Sequence, residues 1–146
     1  MVKNTQKYFW IIGGGILQVP LIKEAKKLNY KIIVTDADEN CICKELASCF
    51  ETIDIFDIDG HIEYAKQLTN SGILIKGVLA AGIDAPETMA KVAEMLNLPT
   101  VSSKIAHLVN NKEIFRVKMK ELGVPTPKFQ SVSINNLDEL PSIIDK

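Results

Sequence analysis

The stretch YFWIIGGGILQVP, residues 8–20, decides the fold. Its first five residues are aromatic or β-branched, a composition typical of a strand buried on both faces of a parallel sheet. Gly13, Gly14 and Gly15 end the strand, and without a Cβ they can adopt positive φ and let a ligand approach the backbone. An amphipathic helix is predicted next, with an apolar face made of Leu17, Leu21, Ala25 and Leu28.

This strand, glycine turn and helix together predict a small-molecule site at the carboxyl end of a sheet. The first N–H groups of a helix lack intrahelical partners, so they suit an anion such as phosphate or carboxylate. The other interpretation is that the glycines only form a tight turn between strand and helix. Three consecutive glycines exceed what such a turn needs, which favours the ligand site.

Length and composition bound the class of protein. With 146 residues, 47% of them hydrophobic and 24% charged, the chain predicts one globular domain, or one domain with a piece of another. A net charge of -1 gives no electrostatic argument for a nucleic-acid or membrane partner. No apolar run approaches the roughly 20 residues that span a bilayer. The first apolar run breaks at the glycines, unlike a signal peptide, so we expect a cytoplasmic protein.

The cysteines predict no metal site. Cys41, Cys43 and Cys49 are close together, but a C-x-C spacing is not the usual C-x-x-C of a zinc site. His61 and His107 do not stand at a ligand-like distance from them in sequence. In a reducing compartment an odd set of cysteines indicates free thiols rather than disulfides.

Strands alternating with helices predict an α/β fold with a doubly wound, Rossmann-like parallel sheet of four to five strands. After the first strand, further strands are predicted at 31–35, 50–55 and 77–81, with a marginal extended piece at 98–102. Helices are predicted at 41–48 and 61–69, the second with His61 exposed in its first turn. A further helix follows Pro86, and a short one ends near residue 109.

Polar residues follow the predicted strands where a ligand site would lie. Asp36 ends the second strand, where nucleotide-binding folds often place an acid for ribose hydroxyls, although a turn or cap role is equally open. Asp84 and Glu87 have capping-box spacing, and the loop that carries Asp84 can also face the glycine loop. Because the first, second and fourth strands should be neighbours, we predict one substrate cleft lined by Gly13, Gly14, Gly15, Leu17, Gln18, Asp36, Gly82 and Asp84.

The residues after 110 differ in character. A helix is predicted from Lys112 to a terminating Gly123, followed by Val124-Pro125-Thr126-Pro127, which cannot be helical. A strand at 128–132 and a helix from residue 137, capped by Asn136, should follow. They cannot bury a core of their own, so we predict a first domain at 1–110 and the start of a second, truncated domain at 111–146.

Two motifs together resemble the ATP-grasp superfamily. Gly13-Gly14-Gly15-Ile16-Leu17-Gln18 is similar to the glycine loop of the pre-ATP-grasp domain in biotin carboxylase, PurK-type carboxylases and proteins like carbamoyl phosphate synthetase. The segment at 111–127, with Lys112, Arg116 and the Gly123-Val124-Pro125-Thr126-Pro127 run, is similar to the linker into the ATP-grasp domain. Asn111 departs from the aspartate that many members have there.

The resemblance implies the N-terminal substrate-binding domain of an ATP-dependent carboxylate–amine or related ligase. In such enzymes ATP phosphorylates a carboxylate with Mg²⁺ bridging the phosphates, and a nucleophile attacks the acyl phosphate. Lys112 matches the family lysine that reaches the nucleotide phosphates. No catalytic residue or metal ligand is carried over, so the fragment should be inactive alone and bind neither ATP nor Mg²⁺ as a resident cofactor. The implied partners are a small carboxylate or amine substrate and, as in many members, a second copy.

Two alternatives stay open at this stage. The chain would suit an NAD(P)-binding Rossmann domain, but Gln18 stands where the third glycine of G-x-G-x-x-G belongs, and the segment from Asn111 is then unexplained. The chain would also suit a standalone small-molecule-binding subunit that works with a separate catalytic chain. The sequence does not identify the substrate or the nucleophile.

Overall fold

The computed structural model of the chain describes residues 6–144, so the outermost residues of the two predicted domains, 1–5 and 145–146, lie outside the described residues. The described residues divide into two units, 6–110 and 111–144. The first unit contains the sheet and the glycine loop. The second contains the predicted linker.

The first unit is built on a parallel sheet of four strands in the order β3-β2-β1-β4. The strands are β1 (Lys7–Ile12), β2 (Lys31–Asp36), β3 (Cys49–Thr52) and β4 (Leu74–Ala80). Ile12 at the end of β1 is in register with Thr35 of β2 and Ala80 of β4, so these three strands end at the same edge. This confirms the predicted doubly wound sheet and the place of β1 between β2 and β4.

Helices cover both faces of the sheet. The helices of this unit are α1 (Val19–Lys27), α2 (Ile58–Asn70), α3 (Pro86–Met95) and α4 (Ser103–Asn110). Successive residues of a strand point to opposite faces. Trp10 and Ile12 therefore join one core with residues of α2 and α3, whereas Ile11 joins a second core with Ile22 and Ala25 of α1.

The predicted apolar face of the first helix holds at Leu21 and Ala25, which pack in the second core, but is wrong at its two ends. Residues Ile16–Gln18 form a 3-10 turn before α1 begins, so Leu17 is not on the α-helix and is 65% exposed. Leu28 is the C-cap and is 71% exposed. The residues that α1 buries fully are Ile22 and Ala25.

Three other local predictions were wrong. The helix predicted at 41–48 is a 3-10 turn at Lys44–Leu46. The extended piece at 98–102 forms no strand in the described part of the chain. Asp84 is not a helix cap, because α3 begins at Pro86 and Ala85 occupies its N-cap. The predicted capping-box partner Glu87 instead accepts a hydrogen bond from His107 Nδ1 of α4 at 2.8 Å.

His61 is fully buried, which corrects the expectation that it is exposed. Trp10 Nε1–H donates to Thr35 Oγ1 at 3.0 Å, and Thr35 Oγ1 lies 3.0 Å from His61 Nε2. His61 Nδ1 lies 2.7 Å from the backbone oxygen of Asp57, the N-cap residue of α2. A neutral imidazole protonated at Nδ1 satisfies this whole chain of hydrogen bonds. Burial lowers the pKa of His61 below its ordinary value, which agrees with that neutral form.

The second unit contains α5 (Lys112–Glu121), a 3-10 segment at Ile134–Glu139 and α6 (Leu140–Ile144). Asn111 caps α5 by accepting the Ile114 N–H at 3.0 Å, and Gly123 after its end has a φ of 67°. No strand forms at 128–132 among the residues the structure describes, so that prediction was wrong. Ser133 caps the 3-10 segment, and Asn136 lies inside that segment with non-helical φ and ψ, so the predicted cap at Asn136 was wrong.

Candidate functional site

A cleft of about 470 Å³ opens at the carboxyl edge of the sheet. Loops that follow all four strands line it, as expected for the crevice of a doubly wound fold. The lining residues are Gly13, Gly15, Ile16, Leu17, Gln18, Asp36, Ala37, Asp54, Ile55, Phe56, Gly82 and Ile83. Its size lies within the range of small-molecule pockets, about 300–1,000 Å³.

The structure brings together most of the predicted site residues. Gly13, Gly15, Leu17, Gln18, Asp36 and Gly82 all line the cleft. Gly14 and Asp84 do not line it. The convergence follows from the register, because β1, β2 and β4 end side by side.

Gly13 is required for both conformation and space. Its φ of 89° lies in the left-handed region that side chains rarely adopt. A Cβ there would lie 2.9 Å from Ile83 Cδ1, so the side chain of Ile83 closes over the glycine. The first glycine therefore joins the loops after β1 and β4, rather than leaving space for a ligand.

Gly14 faces the loop after β2 and not the cleft. A Cβ on Gly14 would overlap Cys41 Sγ and lie 3.1 Å from Cys41 Cβ. The carbonyl of Gly14 accepts the N–H of Cys43 at 3.0 Å, and the thiol of Cys43 donates to the Gly15 carbonyl at 3.2 Å. The two buried cysteines therefore hold the glycine loop in place. Burial raises the pKa of both thiols, which keeps them protonated.

Asp36 organises the loops around it. Its Oδ2 accepts the Gly14 N–H at 2.6 Å, and its Oδ1 accepts the Asp38 N–H at 2.8 Å. One carboxylate thus fixes both the glycine loop and the turn after β2. The anion bound by the Gly14 N–H in this structure is the protein's own aspartate.

Gln18 is a buried polar group at the floor of the cleft, with 1% of its surface exposed. Its Nε2 donates to the backbone carbonyl of Ala81, which joins the loop after β1 to the end of β4. Its Oε1 lies 3.3 Å from where a Cβ of Gly15 would be. Gln18 therefore occupies the space that a third glycine would leave open in a dinucleotide-binding loop.

Sequence reasoning missed the loop after β3. Asp54 Oδ1 accepts the Phe56 N–H at 2.8 Å, and the Ile55 carbonyl accepts the Thr88 hydroxyl of α3 at 2.7 Å. These bonds fix a turn that places Asp54 and Phe56 beside the glycine loop. The Asp54-x-Phe56-Asp57 spacing before α2 is a turn signal, but it does not by itself show which edge of the cleft the turn reaches.

Lys112 lies in the second unit, in the first turn of α5, and its side chain is exposed. No described residue accepts a hydrogen bond from the Lys112 ammonium group, and none forms an ion pair with it. A separate concavity of about 630 Å³ in this unit is lined by residues of 120–143, without Lys112. Asn111 caps the helix as an aspartate would, so the departure from the family residue keeps the local geometry.

Residues 6–144 hold no group of three or more His, Cys, Asp or Glu side chains arranged for a metal ion. Within the same residues, no helix has the length and apolar character needed to cross a bilayer.

Comparison with known proteins agrees with the two motifs of the chain. No protein-family model matches it. It is 29% identical over 138 residues to a formate-dependent phosphoribosylglycinamide formyltransferase of Prochlorococcus marinus, and the match covers 94% of this chain and 34% of that enzyme. The formate-dependent formyltransferases are ATP-grasp enzymes. The chain is similar to the N-terminal part of the formyltransferases.

Solved ATP-grasp structures share the fold. An L-amino acid ligase from Bacillus licheniformis superposes with a TM-score of 0.73 at 21% identity, over 94% of this chain and 34% of that one. A phosphoribosylglycinamide synthetase from Anaerococcus prevotii gives a TM-score of 0.70 at 21% identity, with the same two coverages of 94% and 34%. The resemblance to ATP-grasp enzymes is confirmed, and the chain spans about a third of the length of the relatives it matches.

Proposed function

We propose that the chain is the N-terminal, acceptor-binding part of an ATP-grasp ligase. The observation that carries the proposal is the match to an ATP-grasp enzyme over 94% of the chain. A match of that extent includes both the glycine loop and the segment at 111–127. The cleft at the carboxyl edge of the sheet supports the same function, because it offers a small-molecule site.

The reaction we propose proceeds in two steps in the full-length protein. The γ-phosphoryl group of ATP passes to a carboxylate oxygen, which gives an acyl phosphate and ADP. An amine nitrogen then attacks the acyl carbon, the C–N bond forms, the C–O bond to phosphate breaks, and the amine gives up a proton as phosphate leaves. The chain's share in these steps is to bind and orient the acceptor in the cleft.

The proposal also assigns the two units. Residues 1–110 would be the pre-ATP-grasp domain, and residues 111–146 the linker and the first part of the ATP-grasp domain. Lys112 fits a role at the nucleotide, since its ammonium is exposed and has no partner among the described residues. When bound, ATP with Mg²⁺ would supply the phosphoryl group. We assign no residue of this chain to the metal.

The names of the relatives suggest two kinds of acceptor. Phosphoribosylglycinamide enzymes act on a phosphate-bearing amine, whereas an L-amino acid ligase joins amino acids. Either is a small molecule with an amine nucleophile, which fits the proposed reaction.

The experiment uses the full-length protein with ATP, Mg²⁺ and panels of carboxylates and amines. We expect ADP release that requires both a carboxylate and an amine. With an ¹⁸O-labelled carboxylate, the label should appear in the released phosphate, because the acyl phosphate transfers one carboxylate oxygen to phosphorus. ATP turnover without transfer of the label would overturn the proposed mechanism.

Lysine variants test the nucleotide side. Lys112→Ala should weaken ATP binding about tenfold or more and leave acceptor binding unchanged, because a lysine–phosphate contact is lost. Lys104→Ala is the matched control, since Lys104 is also an exposed lysine in the first turn of a helix, α4. Equal effects of the two substitutions on ATP binding would remove Lys112 from the nucleotide site. The 146-residue chain by itself should release no phosphate from ATP, because it spans only a third of the relatives' length.

A further inference from the structure

The loop after β4, residues 81–85, is tied to the glycine loop. The Ala81 carbonyl accepts a hydrogen bond from Nε2 of the buried Gln18. A Cβ on Gly82 would lie 3.1 Å from Leu17 Cδ1, so the leucine side chain lies against that glycine. Closely packed groups transmit a displacement rather than absorb it. A restraint on the loop after β4 is therefore also a restraint on the glycine loop.

The first turn of α3 continues from this loop and reaches the loop after β3. Ala85, the N-cap of α3, is 1% exposed, so the entry into the helix is part of the core. The hydroxyl of Thr88, which is 2% exposed, donates to the Ile55 carbonyl at 2.7 Å. Ile55 itself lines the cleft. Residues 81–88 thus contact two of the loops from which the cleft is built.

Two side-chain contacts join residues 81–88 to the end of α4. His107 Nδ1 lies 2.8 Å from Glu87 Oε2. Asn110 Nδ2 donates to the Asp84 carbonyl at 3.3 Å. Both contacts are exposed, so each alone is weak. Together they hold the last turn of α4 beside the start of α3.

Helix α4 passes directly into α5. Asn110 is the last residue of α4, and Asn111 is the N-cap of α5, with its side chain accepting the Ile114 N–H at 3.0 Å. No loop separates the two helices, and the peptide bond between Asn110 and Asn111 is planar and stiff. Fixing the first turn of α5, which carries Lys112, therefore restricts the motion of the end of α4.

We propose that residues 81–88 couple the nucleotide side of the protein to the cleft. A nucleotide that fixes the first turn of α5 fixes the end of α4, and the contacts of Glu87 and Asn110 pass that restraint to the cleft loops. The inference rests on the proposed function, which gives Lys112 its contact to the nucleotide. Glu87 and Asn110 are positioning residues, because neither lines the cleft. By linkage, a ligand that orders the cleft loops favours nucleotide binding by the same factor.

The test measures amide hydrogen exchange in the full-length protein with and without ADP and Mg²⁺. The reporters are the amides of Gly14 and Phe56, each bonded to an aspartate side chain in a cleft loop. The reference is the Ile73 amide, which bonds to a backbone carbonyl at the amino end of β4. Ligand binding slows exchange through global unfolding everywhere, so the ratio to Ile73 isolates the local effect. We expect ADP with Mg²⁺ to slow both reporters about threefold or more relative to Ile73.

Matched double variants locate the connection. Glu87→Ala with Asn110→Ala removes both contacts to the end of α4, so it should abolish the slowing at Gly14 and Phe56. Calorimetry should find its affinity for ADP within about twofold of the wild type, because neither residue is proposed to touch the nucleotide.

The control is Glu94→Ala with Asn70→Ala, which should keep the slowing. Glu94 is also a glutamate of α3 that contacts α4, but its Oε1 accepts the Ser103 N–H at 2.7 Å, at the start of α4. Asn70, like Asn110, is the exposed last residue of a helix, α2.

The outcomes separate this inference from the proposed function. If ADP binds but Gly14 and Phe56 slow no more than Ile73, the ligase function stands and the inference fails. The inference also fails if the Glu87→Ala and Asn110→Ala double variant keeps the slowing, or if the control variant loses it equally. If the full-length protein does not bind ADP with Mg²⁺, the proposed ligase function fails, and the inference that rests on it fails with it.

Discussion

Replacing Thr35 with valine tests the buried hydrogen-bond chain beneath the cleft. Thr35 is fully buried in β2, and its hydroxyl contacts both Trp10 Nε1 and His61 Nε2 at 3.0 Å. Valine has nearly the same shape, so the packing of the core should survive. What the substitution removes is one oxygen that serves as acceptor for Trp10 and donor for His61.

The cost follows from the two groups left without partners. A buried donor or acceptor that loses its partner costs about 1–3 kcal/mol. Trp10 Nε1–H and His61 Nε2 both lose theirs, and the region is closed to water, so we expect a loss of about 2–6 kcal/mol in the free energy of unfolding. Domains of this kind have only about 5–15 kcal/mol in total, so the effect should be large.

The assay is urea unfolding followed by far-ultraviolet circular dichroism. Fluorescence is unsuitable because Trp10 is the chain's single tryptophan and lies beside the substitution. Thr69→Val is the control, since the Thr69 hydroxyl bonds only to backbone carbonyls at the exposed end of α2 and its loss should cost about 0.5 kcal/mol. If Thr35→Val destabilises the protein no more than Thr69→Val, the reasoning about the buried chain is refuted.

Three further predictions concern the same region. Folding lowers the pKa of His61. Below the ordinary histidine pKa of about 6.5, the unfolded chain therefore binds more protons than the folded one. The free energy of unfolding should fall by up to about 1.4 kcal/mol per pH unit as the pH drops below that value. Unfolding measured between pH 7.5 and 5 should show this slope. His61→Gln should flatten the slope, whereas His107→Gln, at an exposed histidine, should not. An unchanged slope in His61→Gln would contradict the attribution of the pH dependence to His61. Gly14→Ala should destabilise the protein by about 1–3 kcal/mol, because the new Cβ would overlap Cys41 Sγ. Adding Cys41→Ala should recover part of that stability in the double variant. If the double variant recovers none, another contact is responsible. Asp36→Asn should raise the hydrogen-exchange rate of the Gly14 amide about tenfold or more, because it weakens the acceptor that lies 2.6 Å from the Gly14 nitrogen. Asp38→Asn should leave that rate unchanged. An unaltered Gly14 rate in Asp36→Asn would show that Asp36 does not fix the loop.

Periodicity and composition were sufficient to predict the architecture. Residues 8–12 and 32–35 are buried or half-buried on both faces of the sheet. A parallel arrangement follows because each strand is separated from the next by a helix or a long connection. Once the strands are parallel, the loops after β1, β2 and β4 must meet at one edge. This is why Gly13, Gln18, Asp36 and Gly82 could be placed in one cleft before the structure was known.

Local signals failed where a phase of one residue mattered. Asp84 has the spacing of a cap, but Pro86 takes the first helical position and leaves Ala85 as the N-cap. Likewise, α1 begins only after the 3-10 turn at Ile16–Gln18, so Leu17 lies before the α-helix and borders the cleft instead of the core. Sequence spacing within a helix fixes which residues share a face, but it does not fix where the helix begins.

The sequence by itself therefore determined the parallel sheet, its glycine loop and the edge at which the cleft opens, since these depend on strand composition and chain order. Only the tertiary structure decided what each side chain at that edge does. Gly14 packs against a cysteine 27 positions later, and Asp36 binds the glycine loop's own N–H. His61 is buried because Trp10 and Thr35 offer it a partner across the sheet face. Such contacts join residues that are distant in sequence. They form only when the helices and loops pack on the sheet, so no local sequence pattern predicts them.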